Sequence, residues 1–419
     1  MRLIPKASEY EEEIRVLKCP QQDIVVKASV DGFREYFLDR LRTLRRIMLG
    51  RGDMYDVRSI AEAKREGEHV KIVGLVYDKR VLGKSAIVLT LEDETGMVDV
   101  VVTNASRAFV KAMDVLNDSC IGIEGRMKNG TLYAEDIIFP DIKAPPRPHD
   151  VPDLSVVLIS DLHVGSKMFF EKSFRHFIKW LKGEVDVARD LVDTVKYIII
   201  AGDLVDGVGI YPGQDKELLL SSLYKQYETL SAFLSEIPDH IEIIVIPGNH
   251  DATVHAVPYV TIFREYAEPL YEMPNVHVFG DPLFIELHGV KFLISHGRSL
   301  DDIISALPGA SFSQEGIIKS MRHLLKVRHL APIYGGKTPI IPLDKDFLVI
   351  DEAPHVFHMG HVHVYGVGSY KGILLVNTGT WQGQTAYQRT MGIEPTPGVV
   401  AVVRLSDMRT SVLNFHNPA

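Results

Sequence analysis

"SVVLISDLHVG", Ser155 to Gly165, decides the fold of the longer half of this chain. An unbroken apolar run, Val156–Ile159, passes straight into a polar cluster and a glycine. Continuous rather than alternating apolar character marks a short strand covered on both faces. The pattern recurs in "YIIIAGDLVDG" (Tyr197–Gly207), "IEIIVIPGNHD" (Ile241–Asp251), "KFLISHG" (Lys291–Gly297), "HVFHMGHVHVYG" (His355–Gly366) and "GILLVNTGTW" (Gly372–Trp381). Helical stretches lie between some of them, such as "FFEKSFRHFIKWLKG" (Phe169–Gly183) and "DKELLLSSLYKQYETLSAFLSEI" (Asp215–Ile237). Residues 154–419 therefore read as an α/β layered domain. In such sheets the site lies outside the carboxyl ends of the strands, and that is where the polar clusters fall.

In order, the clusters are Asp161 and His163; Asp203 and Asp206; Asn249, His250 and Asp251; His296; and His361 and His363. A chain with 17 histidines produces an H-x-H by chance, so no single cluster is informative. Their succession, each behind an expected strand, is. Carboxylate oxygen with neutral imidazole suits borderline divalent metals such as Mn, Fe or Zn. A pair of such ions needs a bridging ligand, which a carboxylate supplies, and can clamp a phosphate and activate water. Gly165, Gly202, Gly248, Gly297 and Gly360 flank the clusters, where the chain must turn and come close.

Upstream the period changes. "HVKIVGLVYDKR" (His69–Arg80), "SAIVLTLEDETGMVDVVVT" (Ser85–Thr103) and "SCIGIEGRMKNGTLYAEDIIF" (Ser119–Phe139) are β-branched runs punctuated by "DETG" and "KNG". "NASRAFVKAMDVLND" (Asn104–Asp118) reads as one helix. Three strands, a helix and two strands over residues 61–140 are the order of an OB-fold β-barrel. Five prolines within residues 140–153 exclude helix or central strand there, so 141–153 is read as the linker. Residues 1–60 form an N-terminal segment whose amphipathic helix, Asp31–Leu49, buries Phe33, Tyr36, Phe37, Leu41, Leu44 and Met48 and turns Arg34, Arg40, Arg42, Arg45 and Arg46 outward.

The net charge is −9, which does not favour nucleic acid by bulk charge, although local basic patches and bound metals act independently of it. Cys19 and Cys120 are far apart, which points to a reducing compartment and structural roles. With no apolar run of membrane length and no apolar signal core, a cytoplasmic protein without membrane partners is expected.

The ordered clusters resemble those of the calcineurin-like metallophosphoesterases over residues ~155–365. The resemblance implies that Asp161, His163 and His363 hold one ion, that Asn249, His296 and His361 hold the other, and that Asp203 bridges them. It implies His250 as the acid that protonates the leaving oxygen, with Asp206 orienting it through the other ring N–H. Manganese is the first expectation for the two ions, with iron, zinc or magnesium as the other candidates. Arg298 and His255 are candidate substrate contacts. Asp251 is expected to be structural, and His358 to face the core or to stand behind the ligands.

An OB-like module ahead of such a domain resembles the B-type small subunits of replicative polymerases. "HLAPIYGGKTPIIP" (His329–Pro342) and "VNTGTWQGQTAYQR" (Val376–Arg389) narrow the resemblance to the small subunit of the archaeal family D DNA polymerase. That family implies a 3′→5′ exonuclease acting on DNA 3′ ends in proofreading, within the replication machinery and in a heterodimer with a large catalytic subunit. A non-enzymatic scaffold for that subunit and a free-standing metallophosphatase or nucleotide phosphodiesterase are the alternatives. The basic stretch "KSMRHLLKVRH" (Lys319–His329), Lys337 and the arginine-rich helix are the candidates for a DNA path.

Overall fold

Alternating burial along residues 69–138 closes the first half of the chain into a barrel, seen here in a computed structural model that describes residues 5–20, 25–66 and 68–416. Two parts of the N-terminal segment, residues 1–4 and 21–24, lie outside the described residues. Strand β1 (Ile14–Lys18) and helix α1 (Val30–Leu49) come first. The barrel region holds β2 (Val57–Arg58), α2 (Ile60–Glu66), β3 (His69–Leu82), β4 (Ala86–Asp93), β5 (Gly96–Thr103), α3 (Phe109–Met113), β6 (Cys120–Lys128) and β7 (Thr131–Ile138). Around the barrel the order is β3-β4-β5-β7-β6, and β6 pairs back onto β3. Ile87, Leu89 and Leu91 of β4 and Val98, Val100 and Val102 of β5 point inward, one residue in two, and fill the interior. Helix α3 is shorter than the expected 104–118. Ser106 is the reason: its hydroxyl donates to Ala134 O at 2.8 Å and accepts from Ala108 N at 3.2 Å, a local alternative to helix that delays its start.

The remaining elements are β8 (Ser155–Ile159), α4 (Glu171–Leu181), α5 (Arg189–Val192), β9 (Val195–Ala201), α6 (Leu223–Leu234), β10 (Glu242–Ile246), α7 (Arg264–Tyr271), β11 (Val276–Val278), β12 (Leu283–Leu287), β13 (Val290–Ile294), α8 (Leu300–Ala306), α9 (Gln314–Val327), β14 (Val356–Met359), β15 (Gly366–Tyr370), β16 (Ile373–Asn377), α10 (Ala386–Thr390), β17 (Val399–Arg404) and β18 (Thr410–Asn414). They build two six-stranded sheets, β11-β10-β9-β8-β17-β18 and β1-β12-β13-β14-β16-β15. The sheets face each other through Val156, Leu158, Ile199 and Ile244 on one side and Ile285, Phe292, Val356 and Val376 on the other. The outer face of the first sheet, with Val157, Ile159, Ile198 and Ile243, packs under Phe174, Phe177 and Leu230 of α4 and α6. The outer face of the second, with Leu293, Phe357 and Leu375, packs under Ile303, Met321 and Leu325 of α8 and α9. Strands such as β8 are thus apolar at every position because both of their faces are covered. Strands β8, β9 and β10 run parallel, as do β13 and β14, so their carboxyl ends gather the polar clusters at one edge.

Strand β1, in a stretch of mixed sequence with no assigned element, is the outer strand of the second sheet, pairing Ile14 with Leu287 and Val16 with Ile285. Helix α1 begins where Ser29 accepts from Gly32 N at 3.0 Å, a side-chain N-cap. One residue of its expected outer face is inside. Arg40 is 1% exposed, donating to Asp346 Oδ2 at 2.8 Å and to Pro332 O at 2.9 Å. Tyr36 and His329 donate to the same carboxylate at 2.7 and 2.8 Å. With Arg40 also 3.3 Å from Asp118 O beside the barrel, this network ties α1, barrel and layered domain together. Its burial suits a guanidinium, which can satisfy several acceptors in one plane. The basic side chains of "KSMRHLLKVRH" are likewise engaged within the chain. Arg328 donates to Ile350 O and Asp351 O, both at 2.6 Å; Arg322 reaches Ser369 O at 3.1 Å; and Lys326 reaches Asp114 at 3.4 Å.

In that same helix, His323 packs on Phe139, ring centroids 6.1 Å apart, and its Nε2 has no hydrogen-bond partner among the described residues. Burial, then the charge of Lys326, push its imidazole from 6.5 down to about 4. The unfolded chain takes up this proton first as the pH falls. His323 therefore contributes stability that is complete above pH 6.5 and is lost as the pH falls through 4. Relative to a His323→Phe variant, the parent is expected to lose roughly 3 kcal/mol over that interval. Urea unfolding at each pH measures it, and a difference that does not change with pH contradicts it.

Candidate metal centre

The backbone at the gathered strand ends takes an uncommon form. Asp161, His163, Asp203, His361 and His363 have φ of 54°, 52°, 51°, 71° and 60°. The left-handed region costs L-residues about 1–2 kcal/mol each and clusters at functional sites. Here it turns consecutive loops inward toward one point. Two glycines let the loops approach. A Cβ on Gly202, itself at φ 84°, would stand 2.6 Å from His296 Nδ1, and one on Gly360 would stand 2.6 Å from Asp161 Oδ2.

All seven expected ligands come together. His163 Nε2 and His363 Nε2 face each other at 3.0 Å, with Asp161 Oδ1 3.4 Å from the second. On the other side, His296 Nε2 lies 3.3 Å from Asp203 Oδ2, 3.2 Å from Asn249 Oδ1 and 3.2 Å from His361 Nδ1. Asp203 Oδ2 is also 3.8 Å from His163 Nε2 and so stands between the two groups. Among the described residues three sets offer ligand atoms all within 4.8 Å of one another: Asp161, His163 and His363; His163, Asp203 and His250; and Asp203, His296 and His361. Asp161 Oδ1 is buried and has no hydrogen-bond partner among the described residues. A bare carboxylate oxygen inside a ring of imidazoles is what a cation would satisfy.

For His163, His296 and His361 the far ring nitrogen meets an acceptor. His163 Nδ1 is 3.1 Å from Asp206 Oδ1, His296 Nδ1 is 2.9 Å from Ala201 O, and His361 Nε2 is 3.3 Å from Asp301 Oδ2. Such acceptors fix the tautomer of a metal-binding histidine. Burial opposes charge on Asp203, but His296 and then His250 outweigh it and hold the carboxyl well below its usual range. Burial likewise pulls His296 down, but Asp203 and then Asp161 carry it to about 10. The carboxylates thus demand positive charge, and a proton on His296 meets part of that demand.

Asp206 differs from expectation. Its carboxylate faces His163, and receives Gln382 Nε2 at 2.9 Å and Gln214 Nε2 at 3.2 Å. His250 Nδ1 instead donates to the main-chain oxygen of Asp206 at 2.7 Å. The three-residue step brings the right residue close, but the loop presents its carbonyl to His250 and its side chain to His163. His250 Nε2 lies 4.0 Å from Asp203 Oδ2. Asp251 accepts from Gly248 N at 2.8 Å, Leu204 N at 3.2 Å and Tyr227 Oη at 3.1 Å, knitting two ligand loops together. Burial, then repulsion by Asp203, raise it to about 7. Arg298 Nη1 donates to Tyr259 Oη at 3.2 Å, and His255 is exposed.

Sequence reasoning left "TWQGQTAYQR" without a role, and named neither Asp301 nor Gln214. In the structure Thr380 Oγ1 donates to Asp161 O at 2.9 Å, Gln382 reaches Asp206, and Gln388 Nε2 is 2.6 Å from His363 Nδ1. The segment braces the group of Asp161, His163 and His363 from behind. Amides carry no charge and no spacing rule, so nothing in the sequence marked them.

The family model for the B-type subunits of DNA polymerases alpha and epsilon matches residues 156–365. The DNA polymerase II small subunit of Pyrococcus furiosus is 42% identical over 397 residues, 92% of this chain and 64% of that protein. Its counterpart from Archaeoglobus fulgidus is 43% identical over 389 residues, 91% of this chain and 78% of that protein. The one from Methanothermobacter thermautotrophicus is 40% identical over 378 residues, 89% of this chain and 77% of that protein. The chain thus spans just under two thirds of the Pyrococcus furiosus relative's length. Resemblance that covers so much of the chain, and whose family model begins in β8 and ends just past His363, makes it a member of the family of archaeal DNA polymerase II small subunits.

Proposed function

We propose that this chain is a two-metal 3′→5′ exonuclease of the calcineurin-like type, preceded by an OB-fold barrel, that proofreads DNA 3′ ends beside a separate large polymerase chain. The observation that supports it most is the position of Asp203, shared between two buried ligand groups with His250 at their margin. Asp161, His163 and His363 would hold one divalent ion; Asn249, His296 and His361 would hold the other; Asp203 would touch both. Manganese suits this oxygen and imidazole set, as do iron and zinc, with magnesium the harder alternative. When bound, the ions supply neutralisation of the phosphate and activation of water.

The chain's own residues do the rest. His250, anchored through Nδ1 to Asp206 O, keeps Nε2 for protonating the leaving 3′ oxygen. Asp206 orients His163 rather than the acid. Arg298 and His255 are the proposed contacts for the DNA backbone. Among the described residues no helix is long and apolar enough to cross a membrane.

A 3′-mismatched primer-template with Mn²⁺ tests the proposal. The parent is expected to release nucleotides from the 3′ end, and Asp203→Ala and His250→Ala to release far less. No release by the parent, or equal release by all three, refutes the enzyme. Copurification with a large polymerase chain tests the partner.

A further inference from the structure

The two oxygens of Asp161 have different surroundings. Oδ2 accepts from the Ser160 hydroxyl and from His361 N at 3.0 Å, whereas Oδ1 has no donor among the described residues. Behind Oδ2 runs a chain of buried groups. Ser160 Oγ is 2.6 Å from Thr378 Oγ1, which is 3.1 Å from His358 Nε2. Ser160, Asp161, His358 and Thr378 are all at 0% exposure.

Counting protons gives the chain a direction. A carboxylate only accepts, and the competing acceptor, Gly379 O at 3.3 Å, is the longer contact, so the Ser160 hydrogen goes to Asp161. Ser160 must then accept from Thr378, and Thr378 from His358. The competing acceptor of Thr378, Met359 O at 3.2 Å, is the longer contact. His358 is thereby the neutral tautomer with hydrogen on Nε2. Its Nδ1 has no partner among the described residues, as a bare lone pair in that tautomer would have none. The residues also bridge the layers: Ser160 follows β8 of the first sheet, His358 lies in β14 of the second, and Thr378 follows β16 beside it. The chain therefore links the sheet carrying Asp161 to the sheet carrying His361 and His363 at the edge where they meet.

Resting on the metal-centre reading above, we propose that His358 is a positioning residue. Through Thr378 and Ser160 it fixes the Asp161 carboxylate so that Oδ1, not Oδ2, is offered to the first ion. Partners of this kind are worth roughly 10–100-fold in metal affinity.

The test uses the full chain, metal-free and then titrated with Mn²⁺, with free ion read by electron paramagnetic resonance. Thr378→Val keeps the shape and removes the hydroxyl; Thr378→Ser keeps it. Thr378→Val is expected to weaken one of two ions by roughly 10-fold or more and leave the other alone, with Thr378→Ser like the parent. Ser160→Ala, which cuts the chain at its other end, is expected to do the same. In ¹⁵N spectra of the metal-free parent, His358 is expected to carry its hydrogen on Nε2. Folded Thr378→Val with both ions bound as in the parent, or an Nδ1–H tautomer, overturns the positioning role alone. A parent that binds no Mn²⁺ overturns the metal centre, and the inference with it. If neither cut variant folds, the tautomer of the parent decides.

Discussion

Asp203→Asn is expected to reduce nucleotide release by roughly 10³-fold, because it removes the charge that both proposed ion positions would share. Asparagine keeps the shape, so the loss reads charge rather than packing. The carboxylate also accepts from His250 N at 2.9 Å, a bond the amide oxygen can retain. Charge loss reaches further than the ligand itself. In the metal-free protein His296 holds a proton up to about 10, against its burial, chiefly through Asp203. An ion that uses His296 as a ligand must displace it, so filling that position in the parent near neutral pH is expected to release about one proton. The sign follows from the raised pKa: below it the proton is present and competes, and Mn²⁺ affinity rises with pH. Asp203→Asn is expected to bind Mn²⁺ weakly and to release less acid. Calorimetry in two buffers of different ionisation enthalpy measures the release. Undiminished turnover by Asp203→Asn refutes the shared-ligand role.

What could be read from the sequence follows from which forces act locally. β8, β9 and β10 were legible because a strand covered on both faces must be apolar at every residue, and the polar clusters follow at its carboxyl end. His358 was rightly placed in the core by its apolar neighbours. Arg40 was misplaced because helical periodicity knows only that arginine prefers water. Its partner Asp346 is 306 residues away, and only the fold brings it to 2.8 Å. The β1 segment carries no clean alternation because it is a half-exposed outer strand, and its partner β12 lies at similarly long range. Asp206 was chosen correctly as a neighbour of His250, yet main chain and side chain exchanged roles, which depends on loop geometry that spacing does not encode. The amides of Gln382 and Gln388 act only through direction, and direction appears only when the loops are folded.

His250→Gln separates proton donation from metal binding. Its geometry permits two readings: Nε2 is 4.0 Å from Asp203 Oδ2, and His250 falls with His163 and Asp203 in one set that a cation could use. Its Nδ1 is engaged by Asp206 O at 2.7 Å, and its ring meets that of His163 edge-on at 4.7 Å. His250 is not among the seven proposed ligands, so on the proposed assignment its loss would leave their set complete. As the acid, His250→Gln is expected to lower DNA hydrolysis by about 10²–10⁴-fold while Mn²⁺ affinity stays with the parent's. A third measurement isolates the proton. The p-nitrophenyl ester of thymidine 5′-monophosphate releases p-nitrophenolate, which departs without protonation, so parent and variant should cleave it at similar rates. Were His250 a ligand, the variant would bind Mn²⁺ more weakly and fail on both substrates together. Were it a substrate contact only, the defect would lie in KM and vanish at saturating DNA. Loss of turnover on DNA, parity on the activated ester and unchanged ion affinity are jointly consistent only with a proton delivered to the leaving oxygen.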